Sequence, residues 1–272
     1  HHGSQPRIAA TLRRHFTALM ADFRPRSSSE ILDAAFEIYR RHFAVFMAIN
    51  VVAAVPWAIS SYFGQTALLL QQVDGLLLSA LIRFAGVLVS PFTEGAIACA
   101  TSAAYLGNQV DFEQSVRAAL SHPGRLFTAM IAKWILLTFG LILFIAPGLL
   151  VFKRYFAVPM TVLFEDNKVG DAVSRSRELS NGNGTRIFGL LGGVFIFVLI
   201  ATAILLQLVT ALAHSAVAAA AATLVMTAAI SPFSTIVATL LYYDIRIRRE
   251  GYDIELMTQA LNATSPQPHP AL

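Results

Sequence analysis

Six stretches of this chain are nearly continuous apolar runs, and the residues between them gather into short, patterned polar segments. A helix that crosses a bilayer needs about 20 mostly apolar residues. The runs Ala44 to Phe63, Arg83 to Tyr105, Leu126 to Ala146, Leu149 to Phe164, Ile187 to Ala213 and Ala216 to Tyr243 therefore predict six spans. The fourth is short and carries Lys153 and Arg154 near its start. The charged segments before the third and fifth runs belong on one side of the membrane, so the chain must return between them. It does so either as a short spanning helix or as a re-entrant hairpin broken at Pro147-Gly148. The fold class this pattern predicts is all-α, a polytopic membrane helix bundle.

The polar segments carry helical periodicity of their own. From Asp111 to Ser121, Phe112, Val116, Ala119 and Leu120 recur at helical spacing, Asp111 and Gln114 suit a capping box, and Glu113 faces Arg117 at i,i+4. A second segment sets Val169, Ala172, Val173 and Leu179 on one face and Asp171, Arg175 and Glu178 on the other. A third starts at Ser27, with Glu30 as its capping partner, and runs through Ile31, Leu32, Ala35, Phe36 and Tyr39, with Glu37 and Arg41 paired on the wet side. Each leads directly into a span.

These segments echo one another. Shifting Tyr105–Ser121 by 59 positions sets Asn108, Val110, Ser115, Leu120 and Ser121 on Asn167, Val169, Ser174, Leu179 and Ser180. Ser90-Pro91-Phe92 returns as Ser231-Pro232-Phe233, at the same offset of 141 that sets Ala119-Leu120 on Ala260-Leu261. The pattern predicts three pseudo-repeats of interfacial helix plus membrane hairpin, at about 27–105, 106–164 and 165–243. A C-terminal interfacial helix at 250–262 and a flexible tail at 263–272 follow. Pro91, Pro159 and Pro232 fall in the second span of each unit, where proline frees a carbonyl and bends the axis.

Composition agrees with a membrane protein: 56% hydrophobic, 13% charged, with a mean hydropathy of +0.62. Placing both termini and the 107–125 and 165–186 segments on one side gathers all of the 20 Lys and Arg there except Arg83, Lys133, Lys153 and Arg154. By the positive-inside rule that side is the cytosol, and the expected location is a bacterial cytoplasmic membrane. The pI of about 9.5 then reports topology; the basic residues form no concentrated face, and no nucleic-acid partner is expected. Residues 1–4 read as the remnant of an expression tag and 5–26 as a basic cytosolic segment, with no cleavable signal evident. Cys99 is the single cysteine and excludes an internal disulfide.

Candidate chemistry is sparse. Histidines are scattered one per segment, and no metal spacing, P-loop, nucleophile elbow or HExxH is present, so neither a cofactor nor catalysis is expected. Charge inside the hydrocarbon costs about 2.5–3.5 kcal/mol and normally has a partner. Glu94 and Lys133 fall at depths that differ by about 6 Å at helical rise, with Arg154 as another partner. They form either a structural ion pair or a polar transport path. Arg186, beside the Ser180–Thr185 turn, and Arg246, Arg248 and Arg249 in the tail are candidate contacts for lipid headgroups. Gly189 and Gly193 form a GxxxG pair that predicts close helix packing, within the chain or between chains.

The loop with Glu165, Ala172, Arg175-Ser176, Leu179 and a following glycine resembles the signature of the glycerophosphodiester phosphodiesterase membrane-domain family and related bacterial membrane proteins. So do the tail Leu241-Tyr242-Tyr243-Asp244-Ile245-Arg246-Ile247-Arg248-Arg249-Glu250-Gly251-Tyr252-Asp253 and the opening Ser29–Phe43. The family's enzyme activity belongs to a separate soluble barrel, so the resemblance implies a membrane part without that chemistry. The expected function is a non-catalytic membrane protein that binds or organises lipid, anionic lipid included, or docks a membrane or cytosolic partner or a second copy. The alternative is a small transporter or channel around Glu94, Lys133 and Arg154.

Overall fold

A computed structural model describes residues 24–143, 145–213 and 215–251. The predicted interfacial helix 250–262 falls almost wholly outside these, as do the tail 263–272 and the N-terminal residues before 24. All regular structure among the described residues is helical. In chain order the helices are α1 (Ser28–Arg41), α2 (Phe43–Leu70), α3 (Val73–Tyr105), α4 (Phe112–Ala119), α5 (Pro123–Leu143), α6 (Ile145–Tyr155), α7 (Val158–Phe164) and α8 (Val169–Ser180). Then follow α9 (Gly184–Ile187), a π-helical turn (Phe188–Gly192), α10 (Gly193–Ala213) and α11 (Ala216–Glu250). Four helical stretches are long and apolar enough to cross a membrane: Phe43–Leu70, Val73–Tyr105, Gly184–Val209 and Ala216–Glu250.

The first hairpin is longer than its apolar runs predict. Residues 64–82, read as a connection, continue both helices to a two-residue turn, where Gln71 takes a left-handed φ of 53°. Small residues permit this. A Cβ on Gly75 would lie 2.7 Å from the Ala67 Cβ, and one on Gly86 would lie 3.2 Å from the Pro56 Cβ. Ser60 and Ser79 each donate to the other's carbonyl at 3.0 Å. With the backbones this close, dispersion and hydroxyl bonds hold the pair where apolar lipid offers no hydrophobic drive. Among the described residues the expected GxxxG contact is not made within the chain: Cβ atoms added at Gly189 and Gly193 meet nothing within 4 Å.

Pro91 and Pro232 stand inside α3 and α11, as expected, and Pro56 adds a third internal proline in α2. Pro159 corrects the pattern. It occupies the first turn of α7, where its missing N–H costs nothing, so it starts a helix and does not bend one. Nor is the chain broken at Pro147-Gly148, which lies in the first turns of α6. The break falls at Phe156-Ala157, between helices of 11 and 7 residues. At 1.5 Å per residue these reach about 17 and 11 Å, and neither alone crosses about 30 Å of hydrocarbon.

The amphipathic segments form as helices. Asp111 caps α4 by accepting the Gln114 N–H at 2.9 Å, and the Glu113–Arg117 and Glu37–Arg41 pairs close at 2.5 Å. The buried stripe of α4 is Ser115 and Ala119, however, while Phe112 and Leu120 are exposed. Gly107 and Asp166, 59 residues apart, both have left-handed φ, 74° and 52°, before α4 and α8. The chain divides into two compact units, residues 28–242 and a smaller one that joins the residues through Ser27 with those from Tyr243 onward.

Candidate functional site

A polar cluster in the larger unit centres on Glu165, which caps the end of α7. Its Oε1 accepts the Tyr242 hydroxyl at 2.7 Å, and its Oε2 accepts Arg175 Nε at 2.8 Å and Asn167 Nδ2 at 3.3 Å. Arg175 also reaches Glu178 at 3.5 Å. Tyr242 is fully buried, while the side chains of Glu165 and Arg175 are 15% and 23% exposed. The sequence pattern puts Arg175 on the wet face of α8; the partly buried Glu165 carboxylate turns it inward. Next to this, Arg125 binds Asp166 at 2.6 Å and pins the left-handed turn between α7 and α8.

Ser176, beside Arg175, has an equally definite task. Its Oγ accepts the Ala157 N–H at 3.2 Å, supplying the acceptor that the break between α6 and α7 removes. An unsatisfied amide there would cost about 1–3 kcal/mol. Arg177 Nη2 donates to the Tyr155 hydroxyl at 2.8 Å, with its guanidinium 5.6 Å from the ring centroid. The Arg175-Ser176 pair thus binds the Glu165 carboxylate and the Ala157 amide, and Tyr242 closes onto the same carboxylate.

A second polar site surrounds Pro232. Proline leaves the Ala228 carbonyl without its helical donor and loosens the turn before it. The flanking carbonyls receive donors from elsewhere: Asn50 Nδ2 donates to Thr227 at 2.6 Å, and the Tyr39 hydroxyl donates to Ala229. Burial pushes the Tyr39 phenol above its usual pKa and keeps it a proton donor. The two Ser-Pro-Phe copies share their local bonding. Thr93 returns its hydroxyl to the Ser90 carbonyl at 3.0 Å, and Ser234 to the Ser231 carbonyl at 2.8 Å. Phe92 stacks on Phe127 at 6.1 Å, and Phe233 meets Tyr39 edge-on at 6.2 Å.

Of the other predicted residues, Glu94 is half-buried in α3, Arg154 is exposed at the end of α6, and the Lys133 side chain lies outside the described residues. Arg186 is half-buried at the start of the third apolar stretch. In the smaller unit the tail arginines are engaged by the protein itself. Arg246, 9% exposed, binds Glu250 at 3.1 Å. Arg248 binds Asp244 at 2.9 Å and the Arg26 carbonyl at 2.7 Å, and Asp244 also accepts the Arg26 N–H at 2.7 Å. Arg248 and Arg249 are both exposed at the surface. Sequence reasoning did not single out Arg83, whose guanidinium lies 5.7 Å from the Trp57 ring centroid with Nε 3.3 Å from Ser60 Oγ. An arginine at the edge of one apolar run, with a tryptophan in the run before it, was the available signal.

Long apolar helices, with charged residues concentrated in the short segments between them, define an all-α protein with membrane-spanning character. No family model, curated protein or solved structure matches the chain.

Proposed function

We propose that this is a non-catalytic integral membrane protein of a bacterial cytoplasmic membrane, whose cytosolic-face amphipathic helices bind and organise lipid. In this reading the chain crosses six times as three pseudo-repeats with both termini cytosolic. The 21-residue α5 supplies the third crossing and the broken α6–α7 segment the return. The shared left-handed positions before α4 and α8 and the matching bonds at both Ser-Pro-Phe copies support the repeat.

One observation carries the lipid reading. α1 and α4 bury small or aliphatic residues on one side, yet leave Phe36 58% and Phe112 42% exposed amid charged neighbours, with Leu120 also exposed. A helix polar on one side with bare aromatics on another suits the boundary of headgroups and acyl chains. The test places Trp at position 36 or 112 in a chain whose own Trp57 and Trp134 are Phe, reconstituted in phosphatidylcholine. Lipids brominated near the glycerol end should quench it more than those brominated near the chain terminus. Absence of quenching from either depth refutes the reading.

A further inference from the structure

The connection between α8 and α9 gathers positive charge from three elements. Phe152 of α6 stacks on Phe188 of the π-helical turn at 6.2 Å, which brings the next residue, Lys153, against the 181–185 turn. Its Nζ and Cε lie 2.9 Å from the point that a Cβ on Gly184 would occupy. Arg154 follows, exposed; Arg177, also exposed, precedes the turn on α8 and is held against Tyr155; Arg186 follows the turn. The nearby carboxylate on α8 is Glu178, which already faces Arg175. Among the described residues Lys153, Arg154 and Arg177 have no ion pair, whereas Arg41, Arg117, Arg125, Arg175, Arg246 and Arg248 each have a carboxylate partner.

We infer that this junction binds the phosphate of an anionic lipid headgroup, a site that rests on the lipid reading above and gives it a location. The side-chain charges supply the attraction. The surrounding surface identifies the source of the phosphate. Leu150 on α6 and Phe195, Ile196, Leu199 and Ile200 on α10 are all exposed, so apolar surface for acyl chains leads away from the cations along both helices. A free phosphate would have no use for that surface. The tail arginines are largely neutralised, so the site moves from the C-terminus to this turn.

The experiment uses the full chain in detergent micelles, mixed with equal amounts of phosphatidylglycerol and phosphatidylcholine, with bound lipid counted by native mass spectrometry. The wild type should retain phosphatidylglycerol over phosphatidylcholine by about fivefold or more, the scale of attraction per basic residue near such a headgroup. Changing Lys153, Arg154 and Arg177 together to Gln should abolish the preference. Lys153→Arg with Arg154→Lys and Arg177→Lys should keep it. Gly184→Leu, which drives Lys153 Nζ from the turn without removing charge, should lower it, and serves if the neutralised chain does not fold. An unchanged preference in the neutralised chain or in Gly184→Leu overturns the site, as does a wild type with no preference. Displacement of phosphatidylglycerol by millimolar inorganic phosphate, with a phosphate adduct in its place, assigns the cations to a soluble anion and overturns the lipid. Because the tryptophan test is run in phosphatidylcholine alone, quenching with no phosphatidylglycerol preference refutes this site but leaves the broader reading standing.

Discussion

Replacing Glu165 separates two contributions that the structure binds into one cluster. Glu165→Gln keeps an oxygen for the Tyr242 hydroxyl but removes the charge that faces Arg175 at 2.8 Å. An exposed pair contributes about 0–1 kcal/mol, and breaking a fully buried one costs about 3–5 kcal/mol. With these side chains 15% and 23% exposed, the loss should be about 2 kcal/mol after solvent screening. Glu165→Ala also strands the hydroxyl of fully buried Tyr242, which adds about 1–3 kcal/mol. Cys99, the single cysteine and partly buried in α3, provides the assay: its reaction with a fluorogenic maleimide during heating in detergent reports unfolding. At about 2–4 °C per kcal/mol for a chain of this size, Glu165→Gln should lower the midpoint by about 4–8 °C and Glu165→Ala by distinctly more. Tyr242→Phe on the Ala background should cost nothing further and recover part of the loss, since it removes the stranded hydroxyl. Equal midpoints for the Gln and Ala variants, or additive effects of Glu165→Ala and Tyr242→Phe, would refute the shared cluster.

Asn50→Leu should cost about 1 kcal/mol in the same assay, and less when combined with Pro232→Ala, because a regular helix no longer opens the turn that Asn50 serves; equal cost on both backgrounds argues against the link. Gly75→Val should destabilise by about 1–3 kcal/mol through its clash with Ala67, whereas Gly189→Ala should be neutral in a monomer, and equal effects would contradict the packing. Burial and the neighbouring Arg41 hold the His42 pKa below its ordinary value. Above the unfolded value of about 6.5 both states are neutral, and below it the unfolded chain takes up the proton first. Stability should therefore fall as pH drops through about 6.5, and His42→Gln should flatten that slope in thermal midpoints measured from pH 8 to pH 5.

Much of the helical layout is legible in the sequence because lipid permits few alternatives. A backbone in hydrocarbon must satisfy its own hydrogen bonds, so apolar length translates directly into helix. The same rule explains the overlooked part of the first hairpin. Gly64 and Gly75 read as loop residues, yet in α2 and α3 they let the two helices approach closely. Capping and i,i+4 pairs were equally readable, being local, as Asp111, Glu113 and Glu37 show. The apolar face of α4 was not. Periodicity finds an apolar stripe but does not say whether protein or lipid covers it, and Phe112 and Leu120 turned away from the core.

The sequence by itself determined the helical class, the membrane character and the residue types at the ends of the spans. These follow from hydropathy and short-range spacing, which act within a few turns of one helix. Only the tertiary structure decided which distant polar groups meet: Arg175 turned inward to Glu165, whose carboxylate also accepts the hydroxyl of Tyr242, 77 residues away. It also set Lys153 against Gly184. Electrostatic partnership depends on distances of a few ångströms between groups far apart in the chain, and such distances exist only once the helices have packed.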